Sequence, residues 1–277
     1  MISGRTGILG VIGHPVTHSA SPAMHNAALA ATGLDYVYVA FPVPPEGAVQ
    51  VGAAMRHLGI RGLNVTVPHK QAVLSFLDGV APEARAIGAV NTIDHRDGRL
   101  VGHNTDAYGV LASLREGGLE RLPPKVALLG AGGAAKAVLH ALLSRGEVEE
   151  VLLLNRTASR AESLAEAMDG GGRVRVAPLA ESGSVREAGL VINATSIGME
   201  PEAGISPLGD GSVLHDGMAV LDIVYKPLRT RLLEQALAAG ARALDGLGML
   251  VHQGARAFEI WTGVRPPVDV MRRAIGP

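Results

Sequence analysis

The stretch VALLGAGGAAKAVL, residues 126–139, decides the fold class of this chain. Its apolar start is typical of a buried strand, its middle reads Gly130-x-Gly132-x-x-Ala135, and its end has a helical pattern. In a dinucleotide-binding unit the first glycine permits a tight turn, the second lets the backbone approach a pyrophosphate, and the small third residue lets helix and strand pack closely. The stretch therefore predicts a doubly wound α/β domain that binds a dinucleotide. A purely structural strand–turn–helix is the alternative for so short a motif.

The end of the next predicted strand, residues 151–155, indicates which dinucleotide is bound. About 20 residues past the glycine loop, an NAD-binding domain carries an acid that accepts hydrogen bonds from the ribose 2'-hydroxyl. This chain has Asn155, Arg156 and Thr157 there, with Arg160 close behind. A guanidinium can bind a phosphate through two N–H groups, so the sequence predicts NADP. The alternative is that both arginines are solvated residues at the start of a helix.

The remaining patterns predict two α/β domains. The length of 277 residues exceeds the roughly 100 to 150 residues of a typical single domain. The first part of the chain alternates in the order strand 7–13, helix 21–33, strand 36–41, helix 46–59, strand 63–67 and helix 69–77. The second part continues with strand 126–130, helix 134–145, strand 151–155, helix 159–168, strands 174–177, 190–195 and 219–225, and helix 229–240. Such alternation is typical of βαβ units and mostly parallel sheets.

The domain boundaries follow from composition. Residues 117–125, GGLERLPPK, are rich in Gly and Pro, so the border is expected between residues 107 and 124. We predict an N-terminal αβ domain over 1–107, a Rossmann-type domain over 108–246 and two C-terminal helices within 247–277. Asp97-Gly98, between two short strand patterns, predicts a tight hairpin that closes one edge of the first sheet.

Composition excludes several classes of function. The net charge is −1 without clustered Lys or Arg, which argues against nucleic-acid binding. No segment approaches the roughly 20 apolar residues needed to cross a bilayer. The absence of cysteine excludes disulfides and thiolate chemistry and fits a reducing cytoplasm. His14 and His18 are separated by Pro15, which makes a shared helical face doubtful, and no metal site is expected.

Lys70 is a candidate for chemistry. It lies just past a predicted strand on which Asn64 and Thr66 alternate to one face. The chain has four lysines among 25 basic residues, and Lys70 is the only one before Lys125. A lysine in so arginine-biased a chain favours a site that needs a titratable ammonium. The alternative is an ordinary surface lysine.

Two further polar clusters lie near predicted strand ends. Ser19 and Ser21 precede a helix, where Ser21 could simply be the N-cap. Asn91 belongs to one strand pattern, and the run 104–106, Asn-Thr-Asp, follows another. That run could also be a helix cap, but an acid at a domain border is expected to face a cleft.

Taken together, the motifs resemble the shikimate dehydrogenase family over nearly the whole chain. The matching segments, in order, are GHPVTHSASPAMHNAA, GLNVTVPHK, GAVNTI, GHNTDAYG, LLGAGGAAKAV, LLNRTASRAESLA, VINATSIGM, DIVYKPLRTRLL and DGLGMLVHQGARAFEIWTG. The resemblance implies an enzyme that interconverts 3-dehydroshikimate and shikimate with NADP, in aromatic amino-acid biosynthesis. It also implies that the C-terminal helices return to the substrate-binding N-terminal domain.

The resemblance also assigns residues to roles. It implies that Lys70 and Asp106 are the catalytic pair. The implied substrate-binding residues are Ser19, Ser21, Asn64, Thr66, Asn91, Tyr225 and Gln253. The implied cofactor-binding residues are Gly130, Ala131, Gly132, Gly133, Ala134, Asn155, Arg156, Thr157, Arg160, Ile223 and Gly246. Ala107 and His69 depart from the family pattern beside the catalytic pair, but neither removes a reacting group.

The residues agree with this chemistry. Oxidation of a secondary alcohol needs a proton acceptor and a nicotinamide that takes hydride. The Tyr-x-x-x-Lys arrangement of another dehydrogenase class is absent, so we hypothesise that Lys70 and Asp106 exchange the hydroxyl proton as a unit. The alternatives are a quinate or dual quinate/shikimate dehydrogenase and a non-catalytic NADP-binding sensor. The sequence does not decide between a monomer and a homodimer.

Overall fold

The computed structural model describes residues 2–169 and 171–276. The chain divides into two compact units, the first formed by Met1–Gly109 and Val251–Pro277 and the second by Val110–Leu250. The sequence placed the divisions after residues 107 and 246. In the structure the divisions fall after Gly109 and Leu250. They lie inside two helices, α4 (Asp106–Glu116) and α8 (Leu247–Thr262), rather than in the Gly- and Pro-rich segment 117–125.

A six-stranded mixed sheet forms the first unit. Its strands are β1 (Gly7–Gly13), β2 (Tyr36–Pro42), β3 (Ile60–Val65), β4 (Gly79–Val80), β5 (Thr92–Arg96) and β6 (Arg99–His103), in the order β2-β1-β3-β5-β6-β4. β1 runs parallel to β2 and β3, whereas β5 is antiparallel to β3 and β6. Consequently β3 and β6 run in the same direction and end at the same edge of the sheet.

The first unit also contains several helices, including the start of α4. The others are α1 (Ser21–Thr32), α2 (Val51–Leu58), α3 (Pro82–Ile87), most of α8 and α9 (Val268–Arg273), and there are 3-10 helices at Pro45–Gln50 and Ala72–Phe76. α1 packs against β2 and α9. The core on one side of the sheet includes Met55, Leu63 and Ile93, none of which exposes more than 1% of its surface.

Three predictions for this unit are corrected or adjusted. The helix expected over 69–77 is only the short 3-10 helix Ala72–Phe76, because the Lys70 carbonyl accepts a hydrogen bond from Val90 N–H and leaves the helical ladder. β3 ends at Val65, although Thr66 N–H still donates to a β1 carbonyl. The hairpin exists, with positive φ at Asp97 and Gly98, but β4 pairs outside it and forms the edge.

The second unit is a six-stranded parallel sheet. Its strands are β7 (Lys125–Leu129), β8 (Glu150–Asn155), β9 (Val174–Pro178), β10 (Leu190–Asn193), β11 (Ala219–Asp222) and β12 (Arg242–Leu244), in the order β12-β11-β10-β7-β8-β9. Its helices are α5 (Gly133–Leu143), α6 (Ala158–Met168) and α7 (Arg231–Ala238), with a 3-10 helix at Leu179–Glu187. The strand order reverses between β7 and β10, which is the doubly wound arrangement that the glycine loop predicted. β12, with only three residues, was not predicted.

The fold class is therefore confirmed as mixed α/β with two mostly parallel sheets. The strands flanking the reversal, β7 and β10, are almost wholly buried, as expected for a parallel sheet covered on both faces. Within residues 2–169 and 171–276, no helix is long and apolar enough to cross a membrane.

Candidate active site

Lys70 and Asp106 form an ion pair in the first unit. Lys70 follows β3 and Asp106 is the first residue of α4, just after β6, so the shared direction of β3 and β6 brings them together. Lys70 Nζ donates to Asp106 Oδ2 at 2.6 Å. Their side chains are 17% and 7% exposed, so the pair is largely shielded from water but still accessible. Since such pairs contribute little net stability, stability alone does not explain its presence.

The second carboxylate oxygen of Asp106 is also held. Asn91 Nδ2 donates to Asp106 Oδ1 at 2.8 Å and to Thr105 Oγ1 at 2.9 Å, and Asn91 Oδ1 accepts from Thr105 N–H. Asn104 Oδ1 accepts from Asp106 N–H, while its amide donates to the Ala89 carbonyl. Both oxygens of the Asp106 carboxylate are thus fixed by neighbouring side chains. Thr105 and Asn104 belong to the Asn-Thr-Asp run, which the sequence could explain as a cap.

Asn64 and Gln253 extend this hydrogen-bond network. Asn64 Nδ2 donates to the Asn91 carbonyl at 3.3 Å and to Thr92 Oγ1 at 3.1 Å. Gln253 Oε1, on α8, lies 3.5 Å from both Asn91 Nδ2 and Thr105 Oγ1. Lys70, Asp106, Asn91, Asn64 and Gln253 therefore form one connected set. Their contact with a substrate stays a prediction.

Ser19, Ser21 and Thr66 lie on neighbouring segments of the same unit. Ser21 is the first residue of α1 and the N-cap position is Ala20, so the N-cap alternative for Ser21 is wrong. Instead Ser19 Oγ accepts from Ser21 N–H at 3.3 Å. The Thr66 methyl lies against Gly13, where a Cβ atom would come within 2.5 Å of it.

His69, where the resemblance implies an aromatic residue, is buried and hydrogen-bonded. Its ring is 1% exposed, and Nε2 lies 2.7 Å from the Val43 carbonyl oxygen. Because a carbonyl can only accept, Nε2 donates this hydrogen bond. His69 therefore connects the segment before Lys70 to Val43, the residue that follows β2.

Tyr38 belongs to the same hydrogen-bond network, and the sequence did not single it out. Its hydroxyl donates to Asn64 Oδ1 at 2.7 Å. Burial raises the pKa of Tyr38 well above its ordinary value, and a hydrogen bond from Ser21 opposes that rise. A buried tyrosine within a strand pattern normally indicates core packing, so no sequence signal separated it from the core.

The glycine loop of the second unit has the geometry that a pyrophosphate needs. Gly130 has φ of 109°, and a Cβ atom there would come within 2.9 Å of the Ala194 carbonyl oxygen. A Cβ at Gly132 would meet nothing within 4 Å, and α5 begins at the next residue. The loop thus leaves open space in front of a helix N-terminus, at the point where the strand order reverses.

Residues 155–160 lie at the end of β8 and the start of α6. Asn155 Nδ2 donates to the Thr157 carbonyl at 2.8 Å and so fixes the turn. Arg156 and Arg160 are exposed, and neither guanidinium has a hydrogen bond or ion pair in the described part of the chain. Both side chains are therefore available to a ligand, and their contact with a 2'-phosphate stays a prediction.

A buried polar network joins the ends of β10 and β11 and was not predicted. Asn193 Nδ2 donates to Asp222 Oδ1 at 2.9 Å, and Thr230 Oγ1 donates to Asp222 Oδ2 at 2.7 Å. Burial raises the pKa of Asp222, while hydrogen bonds from Thr230, Val224 N–H and Asn193 oppose the rise. The network fixes the segment that begins at Ile223.

Ile223, Tyr225 and Gly246 lie in this same unit. A Cβ atom at Gly246 would be 2.4 Å from the Ile223 carbonyl oxygen, so only glycine fits beside that segment. Tyr225 is partly buried, which raises the pKa of its hydroxyl. The contact of Tyr225 with a substrate stays a prediction. Among the described residues, no group of three or more His, Asp or Glu is arranged to hold a metal ion.

Comparison with known proteins identifies the family. Three segments match family models: residues 11–93 match the shikimate dehydrogenase substrate binding domain, residues 116–200 match shikimate/quinate 5-dehydrogenase, and residues 246–275 match the shikimate 5'-dehydrogenase C-terminal domain. A shikimate dehydrogenase (NADP(+)) of Symbiobacterium thermophilum is 51% identical, with 96% of this chain and 92% of the relative covered.

Solved structures of similar proteins indicate the same family. A crystal structure of shikimate dehydrogenase in complex with NADP+ is 42% identical, covers 99% of this chain and 96% of its own, and has a TM-score of 0.94. The Thermus thermophilus shikimate 5-dehydrogenase in complex with NADP(H) and shikimate is 44% identical, covers 97% of this chain and 98% of its own, and has a TM-score of 0.88. This chain belongs to the shikimate dehydrogenase family.

Proposed function

We propose that the protein catalyses the reversible, NADP-dependent reduction of 3-dehydroshikimate to shikimate, a step in aromatic amino-acid biosynthesis. The observation that carries this proposal is the Lys70–Asp106 pair, joined at 2.6 Å and surrounded by amide and hydroxyl groups suited to a polyhydroxylated substrate. The curated relatives named shikimate dehydrogenase (NADP(+)) support the same reaction.

The second unit fits NADP. The open space at Gly132 and the N-terminus of α5 suit the pyrophosphate, and the exposed Arg156 and Arg160 suit a 2'-phosphate. Ile223 and Gly246 are the residues that would bind the nicotinamide end. When bound, the nicotinamide supplies the hydride in reduction and accepts it in oxidation.

Lys70 is the proposed proton donor in reduction and proton acceptor in oxidation. Its ammonium carries three hydrogens, one of which points to Asp106 Oδ2, so others are free to meet a substrate oxygen. In the reduction direction Lys70 donates a proton to the carbonyl oxygen as the carbon receives hydride, and in oxidation the pair takes the proton back. Asn91 keeps the Asp106 carboxylate, and therefore Lys70, in place during both steps.

The remaining polar residues bind the substrate. Hydroxyl donors at Ser19 and Ser21 suit a carboxylate, and Asn64, Thr66 and Gln253 suit ring hydroxyls. Tyr225 completes the proposed substrate-binding set. We also expect a cytoplasmic location, tested by cell fractionation, and a homodimer as the alternative to a monomer, tested by light scattering.

Initial rates test the function directly. Shikimate or quinate is supplied with NADP+ or NAD+, and nicotinamide absorbance is followed. We expect strong turnover only with shikimate and NADP+. Faster turnover of quinate or with NAD+ would support the quinate or dual-cofactor alternative. NADP binding without turnover in any combination would support the sensor alternative and contradict the proposal.

A further inference from the structure

Tyr38 connects two elements that carry proposed substrate-binding residues. It lies on β2, and Asn64 lies on β3, with β1 between them. The Tyr38 hydroxyl nevertheless donates to Asn64 Oδ1 at 2.7 Å. Asn26 of α1 holds the Tyr38 backbone, accepting from its N–H and donating to its carbonyl. Both ends of Tyr38 are therefore fixed.

The hydrogen bonds define which way the Asn64 amide points. The Asn91 carbonyl can only accept, so the side-chain nitrogen of Asn64 must face it. The Asn64 oxygen then faces Tyr38, and the Tyr38 hydroxyl must donate to it. The Tyr38 hydroxyl thus holds the Asn64 amide oxygen in the orientation that the Asn91 carbonyl defines.

An aromatic stack holds the Tyr38 ring in place. The His25 ring lies parallel to it with a centroid distance of 4.3 Å, and the Trp261 ring lies 6.1 Å away. His25 is fully buried, and neither of its ring nitrogens has a hydrogen-bond partner among the described residues. Burial lowers the pKa of His25 to about 3, so its ring is neutral and packs as an apolar surface.

We propose that Tyr38 is a positioning residue for substrate binding, whose hydroxyl holds the Asn64 side chain in the orientation that the substrate's hydroxyls require. This inference rests on the proposed function. Tyr38 itself does not touch the reacting atoms, so its loss acts on binding more than on the chemical step.

The test is Tyr38→Phe, which keeps the stacked ring and removes only the hydroxyl. Loss of one buried donor should raise the KM for shikimate about tenfold, that is by about 1.4 kcal/mol, and change kcat by less than about threefold. The KM for NADP+ should not change. Tyr36→Phe is the matched control, because Tyr36 lies on the same strand and its hydroxyl has no hydrogen bond within the described residues. It should leave all three constants unchanged.

A double-mutant cycle checks that Tyr38 acts through its partner. In an Asn64→Ala background, Tyr38→Phe should raise the KM for shikimate by less than about threefold, because neighbouring side chains in one network are not additive. Fluorescence of Trp261, which lies in the same cluster, reports whether each variant is folded.

The outcomes are distinguishable. If the unmodified protein shows no turnover of shikimate, the proposed function fails and this inference fails with it. If the unmodified protein turns over shikimate and folded Tyr38→Phe keeps the original KM, only the role of Tyr38 is overturned. Equal effects of Tyr38→Phe with and without Asn64 would also overturn it.

Discussion

Acid should destabilise the first unit through one buried histidine, His25. Burial lowers the pKa of His25 from 6.5 to about 3, so the unfolded chain binds this proton at a higher pH than the folded chain does. Between pH 6.5 and about 3 the unfolded state therefore holds more protons, and the free energy of unfolding falls as the pH falls. The slope approaches about 1.4 kcal/mol per pH unit, which gives a loss of about 2 kcal/mol between about pH 7 and pH 5.

His25→Phe isolates this contribution, because it keeps an aromatic ring against Tyr38 and removes the titrating group. Trp261 is the only tryptophan and lies 5.5 Å from the His25 ring, so its fluorescence reports unfolding of this unit. Urea unfolding at about pH 7 and pH 5 should show that the unmodified protein loses about 2 kcal/mol more than the variant does.

The comparison between two pH values cancels any change in packing that the substitution causes at both. His57→Gln is the control, because His57 is exposed on α2 and should leave the pH dependence as it is. Equal losses in the unmodified protein and in His25→Phe would refute the reasoning, since another group would then be responsible for the acid sensitivity.

Three further groups of substitutions test the site. Lys70→Ala should lower kcat by roughly 10²-fold or more while circular dichroism stays unchanged, and near-native kcat would contradict a proton-transfer role. Arg156→Ala should raise the KM for NADP+ and spare that for NAD+, and equal effects on both would contradict 2'-phosphate recognition. Gly130→Ala should cost about 1–3 kcal/mol in urea unfolding because of its positive φ and the nearby Ala194 carbonyl. Gly132→Ala, with open space at its Cβ, should fold with nearly unchanged stability but weaken NADP+ binding, measured by calorimetry.

The dinucleotide-binding unit could be predicted from the sequence because its features are contiguous in the chain. The glycine loop, the strand before it and the helix after it occupy residues 125–143 without interruption. The Asn155-Arg156-Thr157 turn follows one strand later. Each feature depends on local backbone geometry, which the residues themselves specify. The doubly wound arrangement of this sheet followed from the same alternation.

The sequence contained only part of the information needed to predict the Asn193–Asp222 network. Each residue ends an apolar strand at the carboxyl edge of a parallel sheet, where polar groups often mark a binding site. That signal was present in the sequence. The third member, Thr230, caps α7 and reaches Asp222 only because the intervening loop folds back. No periodicity predicts such a loop.

Lys70 and Tyr38 differ in how far the sequence could predict their surroundings. Lys70 follows one strand and Asp106 another, and strand ends that point the same way meet at one edge, so their proximity could be anticipated once the hairpin at Asp97 was recognised. Tyr38 lies in the middle of β2, where alternation predicts only that it faces the core. β2 and β3 are about 10 Å apart with β1 between them, so a hydroxyl from one reaches the other only if its ring leans across. The Tyr38 ring packs against His25 and Trp261, which come from opposite ends of the chain. A residue whose role depends on two packing partners and a hydrogen-bond partner from other elements carries no local signature, and it became visible only through its hydrogen bond to Asn64.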